Sequence, residues 1–163
     1  TILGEAQWAW RREEITKPAD VRIIASSIQV VNDSHGWECW GNFPAERARL
    51  LNLIEGEGVD GVIVVSGDRH FSELSREDEY AAYPLYDYTS SGLTQIARDG
   101  HRVPNPRRVG QAVARQNLGG VVIDFDNGTI VFSAMDRKGA VVFEHAVSLD
   151  TLILKSGDSV ESR

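Results

Sequence analysis

The chain has 163 residues, 42% of them hydrophobic and 25% charged, with a formal net charge of −7. This is the composition of a folded globular domain with one core, and the negative balance argues against a nucleic-acid surface, which carries a basic face. No apolar run approaches the roughly 20 residues that span a bilayer, and Cys39, the single cysteine, excludes an internal disulfide.

The first residue is Thr1 rather than Met, so a cut or processed start is expected. "LGEAQWAWRREEIT" predicts a short amphipathic helix. Gly4 stands at its N-cap, and Glu5 lies in the first turn, where the helix dipole favours negative charge. Leu3, Ala6 and Trp10 recur at helical spacing, and Lys17-Pro18 ends the run because the residue before proline avoids the α region. "VRIIASSIQVV" predicts a strand buried on both faces, since its apolar residues are continuous rather than alternating. "NDSHGWECWGN" predicts a polar loop that carries two tryptophans. Pro44 opens a second helix with Leu50, Leu51 and Ile54 on one side, and Gly56 and Gly58 stop it. "VDGVIVVS" predicts a second buried strand. Strand, helix and strand in about 45 residues make a βαβ unit, with parallel pairing and a right-handed crossover.

Beyond it, "SREDEY" is a charged segment, and "YPLYDYTSSGL" predicts a strand with alternating aromatics. "ARDGHRVPNPRRVGQAVARQN" predicts a long irregular loop over the sheet, of the kind that often carries function. The last third, "GGVVIDFDNGTIVFSAMDRKGAVVFEHAVSL", predicts a β-meander. Asn127-Gly128 is the strong hairpin signal, and Lys138-Gly139 marks a second turn. Without a repeat or linker, residues 1–155 are expected to form one domain or part of one, with 156–163 as a polar tail.

The chemistry concentrates in "VIVVSGDRHFSEL". A β-branched run stops at Gly67-Asp68, and His70 follows two positions later. In an extended segment residues two apart point to one side, so Asp68 and His70 are placed to share one ion. They lie beyond the carboxyl end of a buried strand, where open α/β sheets bind ligands. A carboxylate with an imidazole suits iron, zinc or manganese. The bland reading makes both residues solvated loop side chains, and two ligands are fewer than a catalytic metal takes. His35 falls at the end of the first strand, on the same sheet edge if the strands are parallel. It is placed either to approach a substrate or metal or to be held by loop hydrogen bonds. Trp37 and Trp40 read as packing or lid residues, Ser90 and Ser91 as hydrogen-bonding serines, and Cys39 as a buried small residue.

The stretches "LGEAQWAW", "SSIQVV", "HGWECWGNFPAERARLL", "VVSGDRHFSEL", "YPLYDYTSSGLTQ" and "ARQNLGGVVIDFD" occur in this order. Together they resemble the C-terminal half of PhoD-like alkaline phosphatases, in the calcineurin-like metallophosphoesterase superfamily. The resemblance implies a mixed α/β (α+β) fold, part of an αββα β-sandwich with a C-terminal antiparallel meander. It implies metal-dependent hydrolysis of phosphate esters, of alkaline phosphatase or phosphodiesterase type. Asp68 and His70 would be metal ligands, with iron and calcium expected, or alternatively zinc or manganese. His35 and Glu38 would be catalytic, and Arg69 and Asn117 would bind substrate. Export to a secreted or periplasmic location is implied, with the signal upstream of this sequence. The family's earlier metal motifs do not occur here. A second polypeptide segment carrying them is therefore expected, and this chain alone is expected to be inactive. The rival expectation is a non-catalytic β-rich module for binding or complementation.

Overall fold

The structure, a computed structural model, describes residues 1–79 and 83–154; the expected tail at 156–163 lies outside the described residues. Helix α1 spans Glu5–Ile15 with Gly4 as its N-cap, and the Gly4 N–H donates to Gln7 Oε1 at 3.1 Å. Its buried face is Trp8 and Ile15, and Trp10 is 60% exposed, so the Leu3-Ala6-Trp10 row is not the packed one. Trp8 sets the face because helix α2, Pro44–Gly56, offers it polar partners and Trp40, just before that helix, an aromatic one. The indole N–H donates to Glu46 at 3.1 Å, and the Arg49 guanidinium lies 4.5 Å over the ring. Trp40 meets the same indole edge-on at 6.4 Å.

The first strand is shorter than its apolar run. β1 is only Arg22–Ala25, an edge strand with Ile23 53% exposed. Val30 and Val31 are nonetheless fully buried, in a loop rather than in the sheet. Their backbone N–H groups find an acceptor without a ladder: Asp87 Oδ2 takes them at 2.7 and 3.0 Å. A buried carboxylate thus substitutes for a neighbouring strand, which the run of aliphatic letters does not announce.

β2 is Val62–Ser66 and pairs in parallel with β1 from Arg22↔Val62 to Ala25↔Val65, giving the expected parallel β1–α2–β2 unit. β4, Leu85–Ser90, pairs in parallel with β2 on its other side. Two strands were not expected. β3 is Ser72–Glu77, antiparallel to β4, and β5 is Arg108–Val113, antiparallel to β3. The order β1-β2-β4-β3-β5 therefore mixes parallel and antiparallel pairs. The start of the charged segment enters the sheet because Glu77, and Glu73 just ahead of the segment, are buried against arginines. The expected long loop contains β5, together with a short 3-10 turn at Gly100–Arg102.

The C-terminal third is the expected antiparallel meander: β6 Asn117–Asp124, β7 Thr129–Asp136 and β8 Val141–Ser148. Gly128 and Gly139 take φ of 62° and 80° at its turns, the left-handed region that glycine enters at least cost. Alternate β7 residues Ile130, Phe132 and Ala134 are fully buried. Phe132 packs on Tyr86 and Tyr88 of β4 at ring distances of 5.9 and 5.6 Å. Tyr88 donates its hydroxyl to the Ser133 carbonyl at 2.6 Å, tying the two sheets together. One hydrophobic cluster runs through the helices, the five-stranded sheet and the meander. The described fold is thus mixed α/β with two sheets, and none of its helices is long and apolar enough to cross a membrane.

Candidate metal and anion site

Because β1 and β2 run in parallel, the loops that follow them leave the sheet at one edge. The first loop carries His35, Glu38 and Cys39; the second is Gly67-Asp68-Arg69-His70. This second loop is not extended. Asp68 and His70 have φ of 67° and 60°, the positive-φ non-glycine residues among those described. The i, i+2 argument from an extended chain therefore does not apply, although exposure still alternates: Asp68 and His70 are exposed and Arg69 between them is 8% exposed. Left-handed backbone costs on the order of 1–3 kcal/mol per residue and gathers at functional loops. Hydrogen bonds hold it here. The His70 N–H donates to Ser91 Oγ at 2.8 Å, the His70 carbonyl accepts from Ala97 at 2.9 Å, and Ser91 N–H donates to the Phe71 carbonyl at 3.2 Å.

Arg69 lies over the Phe71 ring at 5.7 Å, and its Nε is buried without a hydrogen-bond partner. Burial lowers its pKa from the ordinary arginine value, opposed by the more distant charges of Glu73, Asp68 and Glu38. Glu73 does not bond it, because that carboxylate is already taken: Oε2 accepts from Arg108 at 2.7 Å, and Oε1 accepts from Gln29 at 2.7 Å and Asn32 at 3.3 Å.

His35 is 9% exposed, and its Nδ1 accepts the Trp37 N–H at 3.1 Å. That bond places the proton of the neutral ring on Nε2, which is buried without a partner. Burial, and next the Arg69 charge, hold its pKa below the ordinary imidazole value. Glu38 is exposed at the mouth, and its charge acts on both His35 and Arg69.

Asn117 belongs elsewhere. It is buried, its Nδ2 donates to the Val113 carbonyl at 3.0 Å and the Arg115 carbonyl at 2.6 Å, and its Oδ1 accepts from Ser72. With its amide committed, it is a brace between the β3 start and the β5–β6 connection, not a substrate contact. Cys39 is a buried free thiol. Trp40 is packed, with its N–H on Ser26 Oγ at 3.0 Å, while Trp37 is exposed. The contributor that sequence reasoning missed is Glu73, because "HFSEL" signals no partner that is distant in sequence; Ser91, read as a hydrogen-bonding serine, accepts the His70 N–H.

An exposed carboxylate and an exposed imidazole on a braced loop have the right chemistry for a hard or borderline cation. Among the described residues, however, no three His, Cys, Asp or Glu side chains converge to close such a site. Two clefts lie elsewhere on the molecule. One of about 530 Å³ lies between α1 and α2 around Trp8 and Arg49, and one of about 670 Å³ runs along β5 past Arg98 and Gln111.

Fold and loop together define a mixed α/β protein whose acid, base and cation side chains gather at the carboxyl edge of its parallel strands. No family model matches the chain. It is similar to alkaline phosphatase D of Bacillus subtilis (strain 168), 27% identical over 84 residues, a match covering 46% of this chain and 14% of that protein. The solved structure of PhoD superposes with a TM-score of 0.65 at 18% identity, over 99% of this chain and 36% of that one. The chain shares the fold of the matched part of the PhoD structure, and it spans well under half of either relative.

Proposed function

We propose that this chain contributes to metal-dependent hydrolysis of phosphate esters, of the alkaline phosphatase type. The observation that carries the reading is the Gly67–His70 loop. It holds two left-handed residues that expose a carboxylate and an imidazole on either side of a buried, uncompensated arginine. The similarity to alkaline phosphatase D supports it.

Asp68 would hold an ion through a carboxylate oxygen and His70 through a ring nitrogen. Iron with calcium suits the reading, with zinc or manganese as alternatives. The bound ion would supply Lewis-acid polarisation of the phosphoryl oxygen and a more acidic water. The chain's own residues orient and neutralise the ester: Arg69 and the His35 N–H lie beside the ligand pair, and Glu38 lies at the mouth. Because the chain spans 36% of the solved PhoD chain, we assign the remaining ligands to a further polypeptide segment. An exported location follows from the same reading. A second reading, a non-catalytic β-rich module, is motivated by the finding that among the described residues no three His, Cys, Asp or Glu side chains converge.

Two variants separate the readings. Asp68→Ala and His70→Ala should remove bound metal and at least about 100-fold of the metal-dependent hydrolysis of the completed enzyme. Both side chains are exposed but sit on left-handed backbone, so the unfolding free energy should fall by no more than about 1 kcal/mol. Undiminished hydrolysis in either variant refutes the assignment. Enzyme-like turnover by the purified chain alone refutes the need for a second segment.

A further inference from the structure

The chain carries a net charge of −7, yet Arg98, Arg115, Arg137 and Lys138 meet around one hollow of about 270 Å³. Arg98 comes from the segment before the 3-10 turn, Arg115 from the β5–β6 connection, and Arg137 and Lys138 from the β7–β8 turn. Exposed arginines elsewhere hold carboxylates: Arg49 takes Glu5 at 2.7 Å, Arg76 takes Asp78 at 2.7 Å and Arg102 takes Asp99 at 3.7 Å. The cations of the hollow are exposed too, but among the described residues none of them has an ion-pair partner. Asp136 also lines the hollow, and its Oδ1 is occupied by the Lys138 and Ala140 N–H groups at 2.8 and 3.1 Å. Those two bonds, and next the charges of Arg115 and Lys138, hold its carboxyl below the ordinary value.

The backbone beneath these cations is held, so they are gathered before anything binds. The Arg115 carbonyl accepts from Asn117 Nδ2 at 2.6 Å. Ala97, just before Arg98, donates to the His70 carbonyl and accepts from Gly100, both at 2.9 Å. The Gly139 N–H on the Asp136 carbonyl and the Asp136 N–H on the Ala140 carbonyl, both at 2.9 Å, close the β7–β8 turn. Like charges gathered in this way repel one another, and an anion seated among them turns the repulsion into attraction. Little ordering remains to oppose its binding.

Arginine forks take carboxylates and phosphates alike, and the neighbouring cleft decides between them. The cleft of about 670 Å³ along β5 shares Arg98, Ala114 and Arg115 with the hollow, so the two are continuous. β5 is the last strand of its sheet and, among the described residues, pairs with β3 alone. Its outer edge offers backbone N–H and C=O groups, which a second peptide strand satisfies. A chain of phosphates has no donor for those carbonyls. Gly110, at φ of 69°, lies in the irregular stretch of the pairing and bends the strand, which leaves residues 111–113 for a ladder. We propose that hollow and edge together dock an extended acidic segment of a partner polypeptide, its carboxylates on Arg98, Arg115, Arg137 and Lys138 and its backbone along residues 111–113. This surface stands on charge and on an open edge, and a failure of the proposed hydrolysis leaves it in place.

The test titrates the whole chain with a capped peptide of alternating glutamate and threonine, followed by amide NMR. Alternation puts the carboxylates on one side of an extended strand. Binding should shift the amides of residues 110–116 and 136–139 and slow hydrogen exchange at 111–113. The peptide with lysine in place of glutamate should not bind even at about ten times the concentration. Arg115→Glu and Arg137→Glu should each weaken the acidic peptide at least about tenfold, and raising salt from about 0.05 M to about 0.5 M should do the same for the parent. The acidic peptide N-methylated throughout keeps its charge and loses every backbone donor, so it should bind at least about tenfold more weakly. The reversed side chains are exposed, and the peptide and salt comparisons on the parent stand even if a variant fails to fold. No response to the acidic peptide, or parent-like binding by the Arg115→Glu, Arg137→Glu double variant, overturns the docking surface. Binding of the N-methylated peptide or of tripolyphosphate as tightly as the acidic peptide overturns the assignment to a polypeptide.

Discussion

Asp87 is the residue on which the site loop hangs, and removing it gives a measurable loss. Its Oδ2 accepts from Val30 and Val31, and its Oδ1 accepts from Ser66 Oγ at 2.6 Å. Asp87→Ala would leave two buried backbone N–H groups without acceptors. Each costs about 1–3 kcal/mol, so the gross penalty is roughly 2–6 kcal/mol. Ser66 keeps Thr89 at 2.8 Å and adds little. Part of the penalty is offset, because burial, and more weakly Glu73, pushes the Asp87 carboxyl above its ordinary value against the bonds from Ser66, Val31 and Val30. A net loss of about 2–4 kcal/mol is expected. Asp87→Asn should lose less than about 1 kcal/mol, since its amide oxygen can take both N–H groups and its NH2 can face Ser66.

The sign with pH follows from the raised value. Below the unfolded carboxylate pKa both states hold the proton. As pH rises towards the folded value the unfolded state loses it first, so wild-type stability falls. The Asn variant lacks this titration and should gain on wild type across that window. Urea denaturation from about pH 4 to pH 8, with amide exchange at Val30 and Val31, measures both effects. A loss below about 1 kcal/mol for Asp87→Ala, or unchanged protection at those two amides, refutes the reasoning.

Two further substitutions probe the frame and the loop. A Cβ on Gly92 would lie 2.3 Å from Asn117 Nδ2 and 3.3 Å from the Arg115 carbonyl, and Asn117 is clamped by its own bonds. Gly92→Ala should cost about 1–3 kcal/mol in thermal denaturation, and a loss under about 0.5 kcal/mol would show that Asn117 can move aside. Asp68→Gly removes a side chain from left-handed backbone. The protein should keep its stability or gain up to about 1 kcal/mol while its metal affinity drops, and a clear destabilisation would make Asp68 a structural residue instead.

The candidate site was legible in part. Gly67-Asp68-Arg69-His70 was placed at a strand end from its letters, and His35 on the same edge from the parallel pairing. The expected geometry of the loop was not found, because backbone strain is fixed by distant groups such as Ser91 and Ala97. Asn117 shows the converse error. An asparagine in a motif reads as a ligand until its partners are seen, and here Ser72, Val113 and Arg115 use its amide.

By itself the sequence determined the elements whose signals are local. Gly4 and Pro44 open the helices, the Val62–Ser66 run forms a buried strand, and the glycine turns at Gly128 and Gly139 make a meander. Propensity, periodicity and turn chemistry act over a few residues, so a few residues reveal them. Only the tertiary structure decided where the polar residues went. β3 is buried because Arg47, Arg107 and Arg108 arrive from other segments, and Val30 and Val31 leave the sheet because Asp87 arrives from β4. A buried charge is tolerable only beside its partner, and chain order does not say which partner the fold will bring.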